Sequence, residues 1–146
     1  MKALFICTAN MCRSVAAEKL LLHYGGAGFE ARSRGTAAEP YGGMPALVRE
    51  FLVRAGVVEP AHKPELVGEA DVDWADIILV MENRHYEALS DRFAQSMRKM
   101  HLFLDYCNKT SGAELEDPAG RSREVFGKVL MEIDKGIKKL IEKGKE

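Results

Sequence analysis

Apolar residues along the chain fall into short runs and helical stripes that alternate. Ala3 to Ile6 is a brief unbroken apolar run bounded by a polar loop, the pattern of a strand buried on both faces of a parallel sheet. Val15, Ala16, Leu20, Leu21 and Tyr24 then recur at helical spacing, and Gly25-Gly26 supplies a C-terminal stop. Phe29 to Ser33 reads as a second strand. Gly35 to Met44 carries too much Gly and Pro for a regular element. Pro45 suits the start of a helix striped by Leu47, Val48, Phe51, Leu52 and Ala55, with Gly56 just past its end. Ile77 to Met81 predicts a third strand, about Arg84 to Met97 a helix, and His101 to Leu104 a fourth, less strongly patterned strand. A polar loop from about Asp105 to Gly120 leads into a long helix. Val125, Phe126, Val129, Leu130, Ile133, Ile137, Leu140 and Ile141 mark its apolar face, and Lys and Glu fill the other.

Parallel strands need helical crossovers, so four strands alternating with helices predict an α/β fold. The expectation is a three-layer, flavodoxin-like sandwich with a four-stranded parallel sheet flanked by helices. The 146 residues match the size of one domain, residues 1–146, able to enclose a core without disulfide or metal support. Lys plus Arg number 21 against 22 Asp plus Glu, a net charge of -1, so no global field draws the chain to nucleic acid or membrane. No apolar stretch approaches the ~20 residues of a membrane helix, and no cleavage pattern follows the first apolar run. Three cysteines, Cys7, Cys12 and Cys107, are an odd count in a chain that can do without staples, which argues for a reducing compartment. We expect a soluble cytoplasmic protein with free thiols.

The stretch Cys7-Thr8-Ala9-Asn10-Met11-Cys12-Arg13-Ser14 joins the first strand to the first helix. A loop in that position aims successive backbone N–H groups and the helix dipole at one spot, which favours an anion such as phosphate. A cysteine at its start points sulfur into the positive cradle, where a thiol pKa near about 8.5 falls to roughly 3.5–7.5. Arg13, with its planar fork of donors, can hold two phosphoryl oxygens together as charge shifts. Ser14 can donate its hydroxyl to the thiolate.

This pattern resembles the low-molecular-weight protein tyrosine phosphatases, whose signature is Cys, five residues, Arg and Ser at the N-terminus. The resemblance runs the length of the chain, through Ser33-Arg34-Gly35-Thr36, His62, the strand Ile77 to Met81 ending near His85, and Asp117-Pro118 before the last helix. It implies that Cys7 attacks phosphorus, Arg13 holds the oxygens, and Asp117 protonates the leaving atom and then activates water. Thr8, Ala9, Asn10, Met11, Cys12 and Ser14 complete the phosphate loop, and Asn10, Ser14, Ser33 and His62 shape it by hydrogen bonding. The resemblance implies no cofactor and no metal. The implied partner is a phosphorylated protein or small phosphomonoester, not nucleic acid or membrane, and the expected state is a monomer. Two positions depart from the family. Ala9 stands where Gly is usual, costly only if that residue needs φ > 0, and Val15 replaces Pro in the first helical turn.

Plainer readings exist for each residue. Cys7 and Cys12 have a zinc-like spacing, but no second Cys or His pair follows and Arg13 would repel the ion. Cys12 is either packing or a trap that takes an oxidised Cys7 into a disulfide. His23, His85, His101 and Cys107 read as structural, His62 also as a satisfied loop histidine, and Asp117 also as a turn or capping carboxylate. Ala119-Gly120 follows Pro118, so Tyr41 is the one evident aromatic wall for a phosphotyrosine ring. Thr8 resembles the loop of protein-arginine phosphatases and would shape the pocket differently from a bulky aliphatic residue. Asp-Pro-Ala-Gly resembles the thioredoxin-coupled arsenate reductases, but the relay cysteines these need after the third strand are missing before Cys107. Phosphotyrosine is therefore the first expectation, phosphoarginine the alternative, arsenate third. A phosphate-binding module without catalysis would have no need of both a nucleophile and an acid.

Overall fold

The computed structural model describes residues 1–144, so the last two positions of the expected 1–146 domain lie outside the described residues. Ten regular elements follow in order. They are β1 (Lys2–Cys7), α1 (Arg13–Gly25), β2 (Glu30–Gly35), α2 (Ala46–Ala55), α3 (Glu69–Trp74), β3 (Ile77–Val80), α4 (Asn83–Arg92), β4 (Met100–Leu102), α5 (Phe103–Asn108) and α6 (Arg123–Gly144). The strands form one parallel sheet in the order β2-β1-β3-β4, with the flavodoxin-like reversal of direction at β1.

Alternation along β1 explains the layers. Ala3, Phe5 and Cys7 face the larger core with Leu20 and Leu21 of α1, Leu52 of α2, Phe103 of α5 and Ile133 and Ile137 of α6. Leu4 and Ile6 face a smaller core with Val72 of α3 and Leu89 of α4. Each of these fully buried aliphatic or aromatic side chains contributes about 1.5–3 kcal/mol. No described helix is long and apolar enough to cross a membrane.

Three expectations shift. The helix expected to Met97 stops at Arg92, because Phe93 leaves helical geometry to pack on the smaller core, and 3-10 turns over Ala94–Lys99 bring the chain back to the sheet. β4 is Met100–Leu102, and Phe103 and Leu104 open α5, which runs into the expected loop. α3 is a helix that periodicity does not show, since six residues are too few; Asp71 caps it by accepting from the Gly68 N–H at 3.0 Å.

Two local devices set the edge of the sheet that carries the loop after β1. At the end of β2, Gly35 lets the chain come against that loop. A Cβ there would run into the Thr8 carbonyl oxygen and lie 3.0 Å from the Asn10 nitrogen. At the start of α4, the buried His85 ring accepts the Glu82 N–H on Nδ1 at 3.1 Å. Burial, helped by the charge of Arg13, lowers the His85 pKa from 6.5 to about 4.

Gly35→Ala is expected to destabilise the protein by about 1–3 kcal/mol through overpacking, read as a lower urea midpoint at constant slope. An unmoved midpoint would show that the loop yields instead. His85 makes stability depend on pH. Between pH 6.5 and about 4 the unfolded chain takes a proton on this ring that the folded chain refuses, so stability falls as pH falls through that window. Asn at position 85 can still accept the Glu82 N–H but cannot titrate. The urea midpoint of His85→Asn should therefore drop less between pH 6.5 and 4 than that of the wild type, and equal drops would assign the effect to other groups.

Candidate active site

β1 delivers Cys7 to the carboxyl edge of the sheet, at the strand where the order reverses and crevices form. The Thr36 and Ala37 N–H groups donate to the carbonyls of Cys7 and Thr8 at 3.0 and 2.9 Å, fixing the loop from outside. Asn10, fully buried, takes the left-handed conformation at φ 55. Such a residue costs of order 1–3 kcal/mol unless its surroundings hold it. Here they do: Asn10 Nδ2 donates to Ser14 Oγ at 2.9 Å, and its Oδ1 accepts the Glu65 N–H at 2.9 Å. His62 Nε2 donates to the Asn10 carbonyl at 2.7 Å. A carbonyl only accepts, which assigns the His62 tautomer, and burial lowers the pKa of this ring despite that bond. Ala9 avoids the left-handed region, so the departure from Gly carries no backbone strain. Among the described residues no acceptor engages the backbone N–H groups of Ala9 to Cys12.

Cys7 Sγ lies 3.0 Å from Ser14 Oγ. Because Ser14 already accepts from Asn10, its own proton is free to point at the sulfur. Arg13 begins α1 with its side chain 2 % exposed. Its NH1 donates to Glu82 Oε2 at 2.5 Å and to the Leu115 carbonyl at 2.7 Å, while NH2 lies 3.8 Å from Asp117 Oδ2. Burial works to raise the Glu82 pKa, but hydrogen bonds and charge from Arg84 and Arg13 take it below its ordinary value. Glu82 is thus the anion that compensates the buried guanidinium.

Asp117 reaches this place through Leu115. The Leu115 side chain is buried in the larger core, its N–H donates to the Met81 carbonyl at 2.9 Å beyond β3, and its own carbonyl takes Arg13. Two residues on, Asp117 Oδ1 accepts the Ala119 N–H at 3.0 Å, the turn contact of the plainer reading, while Oδ2 faces Arg13 and stands 4.0 Å from Arg84 NH2. Cys7, Ala9, Met11, Cys12, Arg13 and Asp117 line one pocket of about 60 Å3, closed by Pro45, Ala119 and Phe126.

Other expected residues lie elsewhere. Tyr41 is 84 % exposed and outside that lining; the ring in the pocket wall is Phe126, which the helical pattern assigns to the core. Thr8 does not line the pocket either, because its hydroxyl accepts from His85 Nε2 at 2.8 Å. Ser33 sends its hydroxyl to Glu18 Oε1 at 2.5 Å, so it braces α1 rather than bonding to the loop. The cysteines differ in kind. Burial, with the charges of Cys7 and Asp117, pushes the Cys12 thiol up to about 12 against the pull of Arg13, and burial does the same to Cys107. Both stay protonated at neutral pH, Cys107 in the larger core and Cys12 in the lining of the pocket. Glu82 and Leu115, which position the expected residues, carry no motif, and His85 entered the resemblance without a role; a carboxylate and a histidine three residues apart at the end of the third strand were the available signal.

A profile described as low molecular weight phosphotyrosine protein phosphatase matches residues 2–146. The chain is 29% identical over 142 residues to a protein-arginine-phosphatase of Geobacillus stearothermophilus, covering 97% of this chain and 95% of that one. To the low molecular weight protein-tyrosine-phosphatase PtpB of Staphylococcus aureus it is 30% identical over 140 residues, 96% of each. Among solved structures, the YwlE arginine phosphatase from Geobacillus stearothermophilus superposes with a TM-score of 0.90 at 29% identity, over 97% of this chain and 91% of that one. The low molecular weight protein tyrosine phosphatase from T. tengcongensis does so with a TM-score of 0.87 at 29% identity, over 98% and 99%. With the strand-loop-helix that carries Cys7 and Arg13 lying within so complete a match, the chain belongs to the low molecular weight phosphotyrosine protein phosphatase family.

Proposed function

We propose that this phosphatase removes phosphate from phosphotyrosine through a phosphocysteine on Cys7. The convergence of Cys7, Arg13 and Asp117 on one small pocket carries this reading. The unpartnered N–H groups of Ala9 to Cys12 and the NH2 edge of Arg13 bind the phosphoryl oxygens, stabilising charge where it grows in the transition state. The Cys7 thiolate forms the S–P bond as the P–O bond to the substrate breaks, and Asp117 gives its proton to the departing oxygen. Water then attacks phosphorus, losing a proton to the Asp117 carboxylate, and the S–P bond breaks to release inorganic phosphate and the thiolate. Ser14 steadies the sulfur in both states.

Met11, Pro45 and Phe126 give the pocket an apolar wall, which supports an aromatic leaving group. Phosphoarginine is the second reading, supported by the relatives named protein-arginine-phosphatase. A guanidinium leaving group would enter beside Arg13 and Arg84, with Asp117 as the lone carboxylate of the pocket lining. In this function the chain acts as one domain, residues 1–146, monomeric and cytoplasmic, without a cofactor, on a phosphorylated protein or small phosphomonoester.

Steady-state rates on matched phosphotyrosine and phosphoarginine peptides decide the substrate: phosphotyrosine should be faster, and the reverse order would install the second reading. Cys7→Ser should abolish turnover of an aryl phosphate yet keep vanadate binding, since N–H groups and Arg13 supply the oxyanion contacts. Appreciable residual turnover would end the cysteine mechanism. Asp117→Asn should slow the burst of a poor leaving group by about 10²–10⁴ and that of nitrophenyl phosphate much less. Equal losses would return Asp117 to the role of a turn residue.

A further inference from the structure

Beside the catalytic pocket, α2 and α6 leave a groove of about 140 Å3 between them. Leu47, Phe51, Phe126 and Leu130 form its floor, and Phe126 also walls the pocket that holds Cys7. The two hollows are therefore neighbours across one ring. On the rim, Arg54 and Arg123 share a single carboxylate, Glu50, at 2.9 and 3.3 Å, and both guanidinium groups are largely exposed. Two cations to one anion leave the rim positive.

Gly127 lines the same groove. Glycine inside a helix destabilises it relative to alanine, so a packing or other reason is expected. Gly136 of the same helix has one, with Phe103 ring carbons at 2.7 Å from where its Cβ would be. Gly127 has none: nothing lies within 4 Å of its would-be Cβ. Gly127 thus lines the groove without adding a side chain to it. At about 140 Å3 the hollow falls short of the roughly 300–1,000 Å3 usual for small-molecule sites, and suits one side chain of a larger partner.

We propose that this groove is a substrate subsite which takes an apolar side chain close to the phosphorylated residue, with an acidic residue beside it on Arg54 and Arg123. The inference rests on the phosphatase reading and names the class of phosphoprotein segment it prefers. Burial of a leucine on this floor, with the phosphoryl group held by the loop, gives a position-dependent gain.

The test uses the full-length enzyme and phosphopeptides with one phosphorylated residue in a Gly-Ser background. A leucine followed by a glutamate is walked through three positions on each side. One position should raise kcat/KM about tenfold over the plain background, and lysine in place of the glutamate should reduce the gain. Gly127→Leu, whose Cβ meets nothing within 4 Å and whose longer side chain is meant to occupy the hollow, should bring the ratio between best and plain peptide close to one. A thermal melt verifies that this variant is folded, and the peptide scan on the wild type stands without it. A scan flat at every position, or a ratio that survives in folded Gly127→Leu, overturns the subsite. Failure of the phosphatase reading looks different, because then no peptide in the series is turned over in a Cys7-dependent way.

Discussion

The buried guanidinium of Arg13 is the constraint on which the site depends. A cation 2 % exposed must be compensated where it stands, and the compensation comes from two distant segments. Glu82 arrives from the end of β3, and the Leu115 carbonyl from the loop before α6. Removing one partner of such a pair typically costs about 3–5 kcal/mol, because the other charge stays buried and unpaired. Arg13 thus fastens the β1 loop, the β3 edge and the Asp117 loop to one another. NH1 performs that fastening, which leaves NH2 facing Asp117.

Around this pair the polar groups are in fixed protonation states and orientations. His85 and His62 are both pushed toward neutrality by burial, so each has one ring N–H to give, His85 to Thr8 and His62 to the Asn10 carbonyl. Asn10 in turn sets the Ser14 hydroxyl on Cys7. The loop is held in shape by hydrogen bonds within it and from the segments that carry Thr36, His62 and Glu65. Burial leaves Cys12 and Cys107 as protonated thiols, while Cys7, equally buried, is the one of the three with the Ser14 hydroxyl on its sulfur.

Much of this was legible in order along the chain. Strand β1, helices α1 and α2, strand β3 and the long α6 follow from local apolar pattern, and the parallel sheet follows from their alternation. The loop from Cys7 to Ser14 is contiguous, so its residue types and spacing could be read as phosphate chemistry directly. Short elements escaped: α3 has six residues and no full period, and Phe93 breaks α4 for the sake of a core that lies elsewhere in sequence.

The sequence by itself determined the fold class and the contiguous loop, because periodicity and spacing are local properties, and its motifs carried the resemblance to the family. Tertiary structure decided what fills the rest of the pocket. Leu115, not a motif, carries Asp117 to Arg13 across the sheet edge. Phe126, not Tyr41, supplies the aromatic wall, since whether a residue on an apolar helical face meets the core or a cleft depends on the helix that packs beside it. Thr8 turns from the pocket to His85, a partner 77 positions away, and Ser33 to Glu18. Such choices belong to hydrogen-bond partners and packing neighbours brought together by the fold, and no spacing along one chain encodes them locally.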